Sequence, residues 1–222
     1  MLHPETLQFY SDLSLNNYKE WFHANRPRYD IAKADYLQLA TTLLEEMQKL
    51  DPTLANLQPK QCIFRINRDI RFSKDKTPYK SHLGIGLSNN KNMSENAGYY
   101  LHIDPTGSFL AAGIHMPPSD TMKKIRKEIA TFHEDLEAIF DHPEFKSRFN
   151  GFDTDERLKL KRPPQGYSAD DKAIEFLKYK SFTVSKPFDI SLVTDPKGVN
   201  FVLEHFKILK PLNDFLNRSF YE

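Results

Sequence analysis

The sequence predicts an α+β fold: an antiparallel four- to five-stranded sheet with helices packed on one face and around the edges. Three observations predict it. Apolar residues recur at three and four through 3–50 and again after residue 117, the helical period. Over 62–116 the period is two, the signature of half-buried strands. Between two of those runs stands Asp104-Pro105-Thr106-Gly107, whose Asp first, Pro second and Gly fourth are the preferences of a type I turn. A length of 222 residues suits one domain over 1–222. Its helical N-terminal part is 1–59, its sheet core 60–116, and its helical C-terminal part 117–222 with an irregular connector at 151–167.

In chain order, 3–15 reads as a helix with Pro4 and Glu5 in its first turn. Asn16 is expected to cap a short helix holding Trp21 and Phe22, which ends at Asn25-Arg26 because a residue before proline avoids the helical region. Pro27 then opens a helix over 27–50, with Leu37, Ala40, Leu44 and Met47 at helical spacing. From Cys62 the alternation places Phe64, Ile66, Ile70 and Phe72 on one face of a first strand and Arg65, Asn67, Asp69 and Arg71 on the other. Residues 73–81, with Pro78, are a loop, and 82–88 alternates again, with Gly84 and Gly86 leaving its second face nearly bare. A polar loop at 89–96 precedes strands at 98–104 and 108–116, completing an antiparallel meander.

Ser119 is a favourable N-cap for a helix over 120–140 with the stripe Ile125, Ile129, Phe132, Leu136 and Ile139. A short helix at 143–148, the proline-rich connector, a helix over 169–180 capped by Ser168, a fifth strand at 181–185, and two helices at 196–209 and 211–218 finish the chain.

Composition narrows the function classes. A hydrophobic content of 39% with 13% aromatics supports a core, and a net charge of +1 gives no global basic field of the kind a general nucleic-acid binder carries. The charge is local: seven Lys/Arg against two Asp fall within 60–80, so the rest of the chain carries a surplus of acid. The single cysteine, Cys62, excludes an internal disulfide and a cysteine-cluster metal site, and its apolar neighbours mark it as a buried, inert thiol. The first ten residues lack the basic start and apolar run of a secretory leader, and no apolar run approaches the ~18 residues of a membrane span. A cytoplasmic protein with no membrane partner is expected.

The stretch FRINRDIRFSKDKTPYK at 64–80 closely resembles the signature of a bacterial family of uncharacterised proteins filed as domain of unknown function 2461. NNYKEWFHANRPRY resembles its N-terminal motif, and GYYLHIDPTG…AAGIH and LKRPPQGY…EFLKYKSF its later blocks. The resemblance spans nearly the whole chain. It implies a single domain of this length and assigns no activity to any residue.

Chemistry therefore rests on the residues. On a strand rising about 3.3 Å per residue, Arg65 and Arg71 lie about 20 Å apart and cannot grip one phosphate together. Asp69 and Arg71 share a face and are expected to pair, while Arg68, on the apolar face, needs a buried acid, with a helix beneath the strand as its expected source. Arg71, Ser73, Lys76, Tyr79 and Lys80 are expected to converge at the strand end, and together with Arg65 form the candidate anion-binding set. Arginine offers a planar fork and lysine a point charge to a phosphate-bearing small molecule. Asp69, Asp75 and Lys76 are the catalytic candidates, and Arg68 and Asp69 the structural ion pairers.

Two alternatives stand beside this reading. One is nucleic-acid binding by the same patch, with Tyr99, Tyr100 and Phe109 stacking on bases. The other is a structural ion-pair lattice with no ligand. No metal or nucleotide motif is present. His102 and His115 fall too far apart along their hairpin to share an ion, whereas His82 and His102 remain possible cross-strand neighbours. The other histidines, His23, His133, His142 and His205, read as surface or helix-end residues. Trp21, Phe22 and Tyr29 read as core or, alternatively, as a stacking surface.

Overall fold

The computed structural model describes residues 1–89 and 93–220; of the loop expected at 89–96, residues 90–92 lie outside the described residues. Two compact units divide the chain. The first comprises Met1–Leu87, Tyr100–Leu110 and Pro187–Leu203, and the second Ser88–Tyr99, Ala111–Lys186 and Glu204–Glu222. Among the described residues no helix is long and apolar enough to cross a membrane.

The class is α+β, as the two periods predict. Helices α1 (Pro4–Leu15), α2 (Lys19–Ala24), α3 (Arg26–Leu50) and the single turn α4 (Pro59–Cys62) lead into a four-stranded antiparallel sheet in the order β1-β2-β3-β4, formed by β1 (Leu83–Leu87), β2 (Gly98–Ile103), β3 (Ser108–Ile114) and β4 (Phe182–Phe188). Between β3 and β4 come α5 (Ser119–Thr131), α6 (His133–Asp141), α7 (Pro143–Lys146) and α8 (Ile174–Leu177), and α9 (Gly198–Arg218) closes the chain. The Asp104–Gly107 turn forms as expected: Gly107 N–H donates to Asp104 C=O at 3.1 Å, and Asp104 Oδ1 accepts from Thr106 N–H at 2.8 Å.

Five expectations need correction. First, 64–72 is not a strand. Ile63 bridges Ile85 and Asn67 bridges Tyr79, and the rest of the segment is irregular. Its alternation does not report burial, because Phe72 is 94% and Phe64 45% exposed. The four strands are instead the three of the meander and β4, which is longer than the expected 181–185. Second, Asn16 ends α1 rather than capping α2, which starts from Tyr18 without a side-chain cap.

Third, the helix expected at 120–140 starts one residue earlier, with Pro118 as its cap, and breaks at Phe132, whose φ −128° and ψ 39° are not helical. Ile125, Ile129 and Leu136 stay buried across the break, while Phe132 of the expected stripe, at the break itself, is 47% exposed. Arg218 spans the gap, donating to Glu128 at 2.8 Å and Asp135 at 3.0 Å. Fourth, only 174–177 of the helix expected at 169–180 forms. Asp171 Oδ1 accepts from Ala173 N–H at 2.9 Å and Ser168 bonds Asp170, local bonds that compete with helix. Beyond it, Leu160 N–H donates to Lys178 C=O and Lys180 N–H to Leu158 C=O, both at 2.8 Å, which pins the connector to this segment.

Fifth, 198–218 is one helix running through Pro211. The penalty of a proline inside a helix, a lost hydrogen bond plus a ring clash costing about 3 kcal/mol together, is outweighed by burial of Phe206, Leu209, Leu212, Phe215 and Leu216. His205 on this helix is buried, only 5% exposed, rather than a surface residue.

Cys62 is buried as expected, 1% exposed, and burial pushes its thiol up to about 12, which leaves almost no thiolate at neutral pH. Gly113 in β3 has φ +114°, and a Cβ there would lie 2.0 Å from the Phe182 carbonyl oxygen of β4. Gly113→Ala is therefore expected to cost on the order of 3 kcal/mol. Urea unfolding checks it, and an unchanged midpoint would show that the two strands are not held this closely.

Candidate functional site

The residues of the central motif part into two groups. Residues 66–80 fold back on themselves: Lys80 N–H donates to Ile66 C=O at 2.8 Å and Arg68 N–H to Pro78 C=O at 2.9 Å, on either side of the Asn67–Tyr79 bridge. The N-terminal motif fixes this hairpin. Asn17 takes both sides of the Tyr79 peptide, its amide donating to Tyr79 C=O at 2.9 Å and its carbonyl accepting from Tyr79 N–H at 3.0 Å. Phe22 stacks on the Tyr79 ring with centroids 4.1 Å apart. Tyr79, Phe22 and Tyr29 are thus core, with Trp21 half-buried at its edge against Phe9.

The tip of the hairpin neutralises its own charges. Arg71 donates to Asp69 through Nε at 3.0 Å and Nη2 at 2.7 Å, the pairing expected. Arg68 finds its acid not in a helix but in the same loop, at Asp75 Oδ2, 2.5 Å away, with Thr77 as a second partner. Lys76 donates to Ile70 C=O at 2.9 Å. The Asp69 carboxyl is held below the usual range by its hydrogen bonds from Arg71, and Asp75 by those from Thr77 N–H and Arg68. Both are poor general acids at neutral pH. Arg71, Ser73, Lys76, Tyr79 and Lys80 do not form one set: Arg71 is engaged at the tip, Ser73 N–H and Lys76 Nζ both donate to Ile70 C=O there, Tyr79 is in the core, and Lys80 is at the hairpin base.

The hairpin base opens a cavity of about 170 Å³, lined by Tyr10, Tyr36, Phe64, Arg65, Ile66, Lys80, His82, Leu83, Gly84 and Tyr100. Arg65 and Lys80 bring two positive charges to its wall, and among the described residues no carboxylate lines it. Lys80 Nζ sits 5.2 Å from the Phe64 ring centroid, and its ammonium is drawn below the usual lysine value by burial and by Arg65. Gly84 sets the floor. Tyr36 Oη accepts from Gly84 N–H at 3.1 Å and donates to Gly84 C=O, and a Cβ on Gly84 would meet Tyr100 Oη at 2.7 Å. At Gly84 the bare face expected of this strand is thus occupied by Tyr100, while Tyr36 bonds the backbone.

His82 and Tyr100 of this lining also belong to a second cluster, with His102 and Asp104. The His82 and His102 rings are 4.6 Å apart, and His102 also stacks on Phe109 at 4.8 Å. His102 Nδ1 is 3.2 Å from Tyr100 Oη, and its Nε2 is 4.0 Å from Asp104 Oδ2. Both imidazoles are pushed below the usual histidine value, chiefly by burial, with Asp104 acting the other way. The His102-x-Asp104 spacing, two residues on one strand face, was the available signal. His115 instead bonds Ser181, with Nδ1 3.0 Å from Oγ. Tyr99 is 1% exposed against Phe206 and offers no stacking surface; Tyr100 and Phe109 are half-buried.

The depressed carboxyls make the tip pH-sensitive. A folded-state value below the unfolded one favours the pairs above the ordinary carboxylate range, and the contribution is lost as pH falls through the folded value. Carboxyl-detected NMR titration should place Asp69 and Asp75 below the ordinary aspartate midpoint of about 3.9. Ordinary midpoints for both would mean that the tip pairs do not persist in solution.

Comparison with curated proteins finds no match, and comparison with solved structures finds none either. A family profile does match, over residues 5–215, so it takes in the Asn17 clamp, the hairpin, the cavity and the histidine cluster together. The chain belongs to the family described as Conserved hypothetical protein (DUF2461).

Proposed function

We propose that the protein binds a small molecule through a phosphate-type anion held in the cavity at the hairpin base, with Arg65 and Lys80 as counter-charges. The observation that supports this reading is the pair of cations on a cavity wall that, among the described residues, holds no carboxylate; the Lys80 ammonium is drawn down by burial and then by Arg65. Asp69 is held low first by its hydrogen bonds from Arg71 and last by the nearby Arg65, so the carboxylate that Arg65 acts on is already engaged by Arg71. An anion would supply the missing charge, with Arg65 giving a fork and Lys80 a point charge. The volume, about 170 Å³, is below that of pockets for drug-sized ligands and suits a compact group. The Tyr100 hydroxyl adds a donor when His102 Nδ1–H points at its oxygen. The catalytic candidates Asp69, Asp75 and Lys76 lie outside the cavity lining, so this reading assigns them no chemistry.

Two other readings keep one observation each. The self-paired tip supports the ion-pair lattice for 68–77 alone. Phe72, 94% exposed and beside Arg71, supports stacking on a single-stranded nucleic acid. Arg71 and Lys76 spend their charge inside the loop, which weakens that reading.

Thermal unfolding with inorganic phosphate at constant low ionic strength tests the proposal. Phosphate at about 100 times its dissociation constant should stabilise the wild type by about 2.7 kcal/mol. The gain should vanish in Arg65→Gln and Lys80→Gln. Equal stabilisation by chloride, or a gain that survives both substitutions, would overturn it. Nucleic-acid binding by the tip would instead persist in Lys80→Gln and fall steeply with salt.

A further inference from the structure

We propose that His82, His102 and Asp104 form a binding site for a divalent transition-metal ion of the zinc and ferrous-iron class. Each residue offers one ligand atom, and these atoms all lie within 4.8 Å of one another. The spacing in a closed zinc site with bonds of about 2.0–2.2 Å is shorter, so small side-chain rotations must close the set. Two imidazoles and one carboxylate suit zinc or iron better than magnesium or calcium, which take oxygen ligands. Three protein ligands also leave coordination positions open, the arrangement of catalytic rather than structural sites.

What separates this cluster from a chance meeting of polar side chains is how two of its members are held. Metal-ligating histidines donate their second ring N–H to a fixed acceptor, which selects the tautomer and aims the ring. His102 has that arrangement. With its Nδ1–H on Tyr100 Oη, 3.2 Å away, the Nε2 lone pair is free and faces Asp104 Oδ2 at 4.0 Å. Asp104 is held in the same way. Its Oδ1 accepts from Thr106 N–H at 2.8 Å and Thr106 Oγ1 at 2.7 Å, so Oδ2 is the oxygen turned to His102. The side chains of His102 and Asp104 are each 17% exposed, partly dry yet open to an entering ion.

Charge bears on the site from both sides. Asp104 offsets part of a dication, whereas Lys80 and Arg68 lie close enough to His82 to oppose it. The Lys80 ammonium can withdraw toward an anion in the cavity, and an anion on an open metal position would ease the same repulsion. The metal site itself stands on its three ligands and does not depend on the anion reading.

The test uses the full chain, freed of metal by chelator, in a phosphate-free buffer, with Zn²⁺ and Co²⁺ as probes. Calorimetry should find one Zn²⁺ per chain, and Co²⁺ should give visible d–d absorption that Zn²⁺ displaces. His82→Gln and His102→Gln should each weaken Zn²⁺ on the order of 100-fold, and Tyr100→Phe, which removes only the orienting oxygen, by about 10- to 100-fold. Asp104→Asn keeps the acceptor for Thr106 and loses the charge, so it should weaken the metal while leaving the turn folded, as circular dichroism would show. His23→Gln should change nothing. The proposal is overturned if Zn²⁺ binds the wild type no more tightly than the folded Asp104→Asn and His82→Gln variants. An absent Co²⁺ spectrum would overturn it equally.

Discussion

The two hydrogen bonds between Asn17 and the Tyr79 peptide are the constraint on which the rest of the site depends. They are made across 62 residues and take a donor and an acceptor from one side-chain amide. Each adds about 1 kcal/mol net. Their larger effect is positional: Tyr79 is fixed against Phe22, and the hairpin base is fixed with it. Lys80 is the next residue, and Arg65 lies across the base near the Lys80–Ile66 pair. Without that clamp the two cations would sit on a free loop, where the entropy of holding them at one place would be lost anew for each ligand. Tyr36 repeats the device on Gly84, with one hydroxyl satisfying both the N–H and C=O of that peptide.

The central motif therefore does two jobs at two ends. Its tip, 68–77, is closed by pairs made within the loop, Arg68 with Asp75 and Arg71 with Asp69. Exposed pairs of this kind contribute little stability individually and serve to give the turn one shape. Its base carries Arg65 and Lys80 to the cavity. Beside the base, His82 and the His102-x-Asp104 pair of β2 and its turn add ligands of a different chemistry. A phosphate-type anion and a divalent cation next to each other are chemically consistent, since each relieves the charge that opposes the other.

The sequence made the fold class legible because two periods, three-to-four and two, mark helices and strands wherever burial is one-sided. The meander and its Asp104–Gly107 turn follow directly. It misled where alternation had no burial behind it: Phe64, Ile66, Ile70 and Phe72 look like the inner face of a strand, yet Phe72 is 94% exposed. The break at Phe132 was hidden because one non-helical residue does not shift the buried stripe. The helix through Pro211 formed because apolar burial exceeded the local penalty. At the site, the Asp69–Arg71 pair was legible from adjacency on one face. The separation of Arg65 and Lys80 from Arg71 and Lys76 was not, because it depends on the Asn17 clamp, a contact that no local pattern reports. The approach of Asp104 Oδ2 to His102 depends on how the turn holds the other carboxylate oxygen, which the spacing alone does not report.

On the proposed function the base of the hairpin, not its tip, receives the anion. A crystal structure of the full chain grown in phosphate tests it most directly. A tetrahedral anion is then expected in the cavity within hydrogen-bonding distance, about 3 Å, of both the Arg65 guanidinium and Lys80 Nζ. Phosphate bound instead at Arg71 and Lys74 on the tip, with none between Arg65 and Lys80, would contradict it.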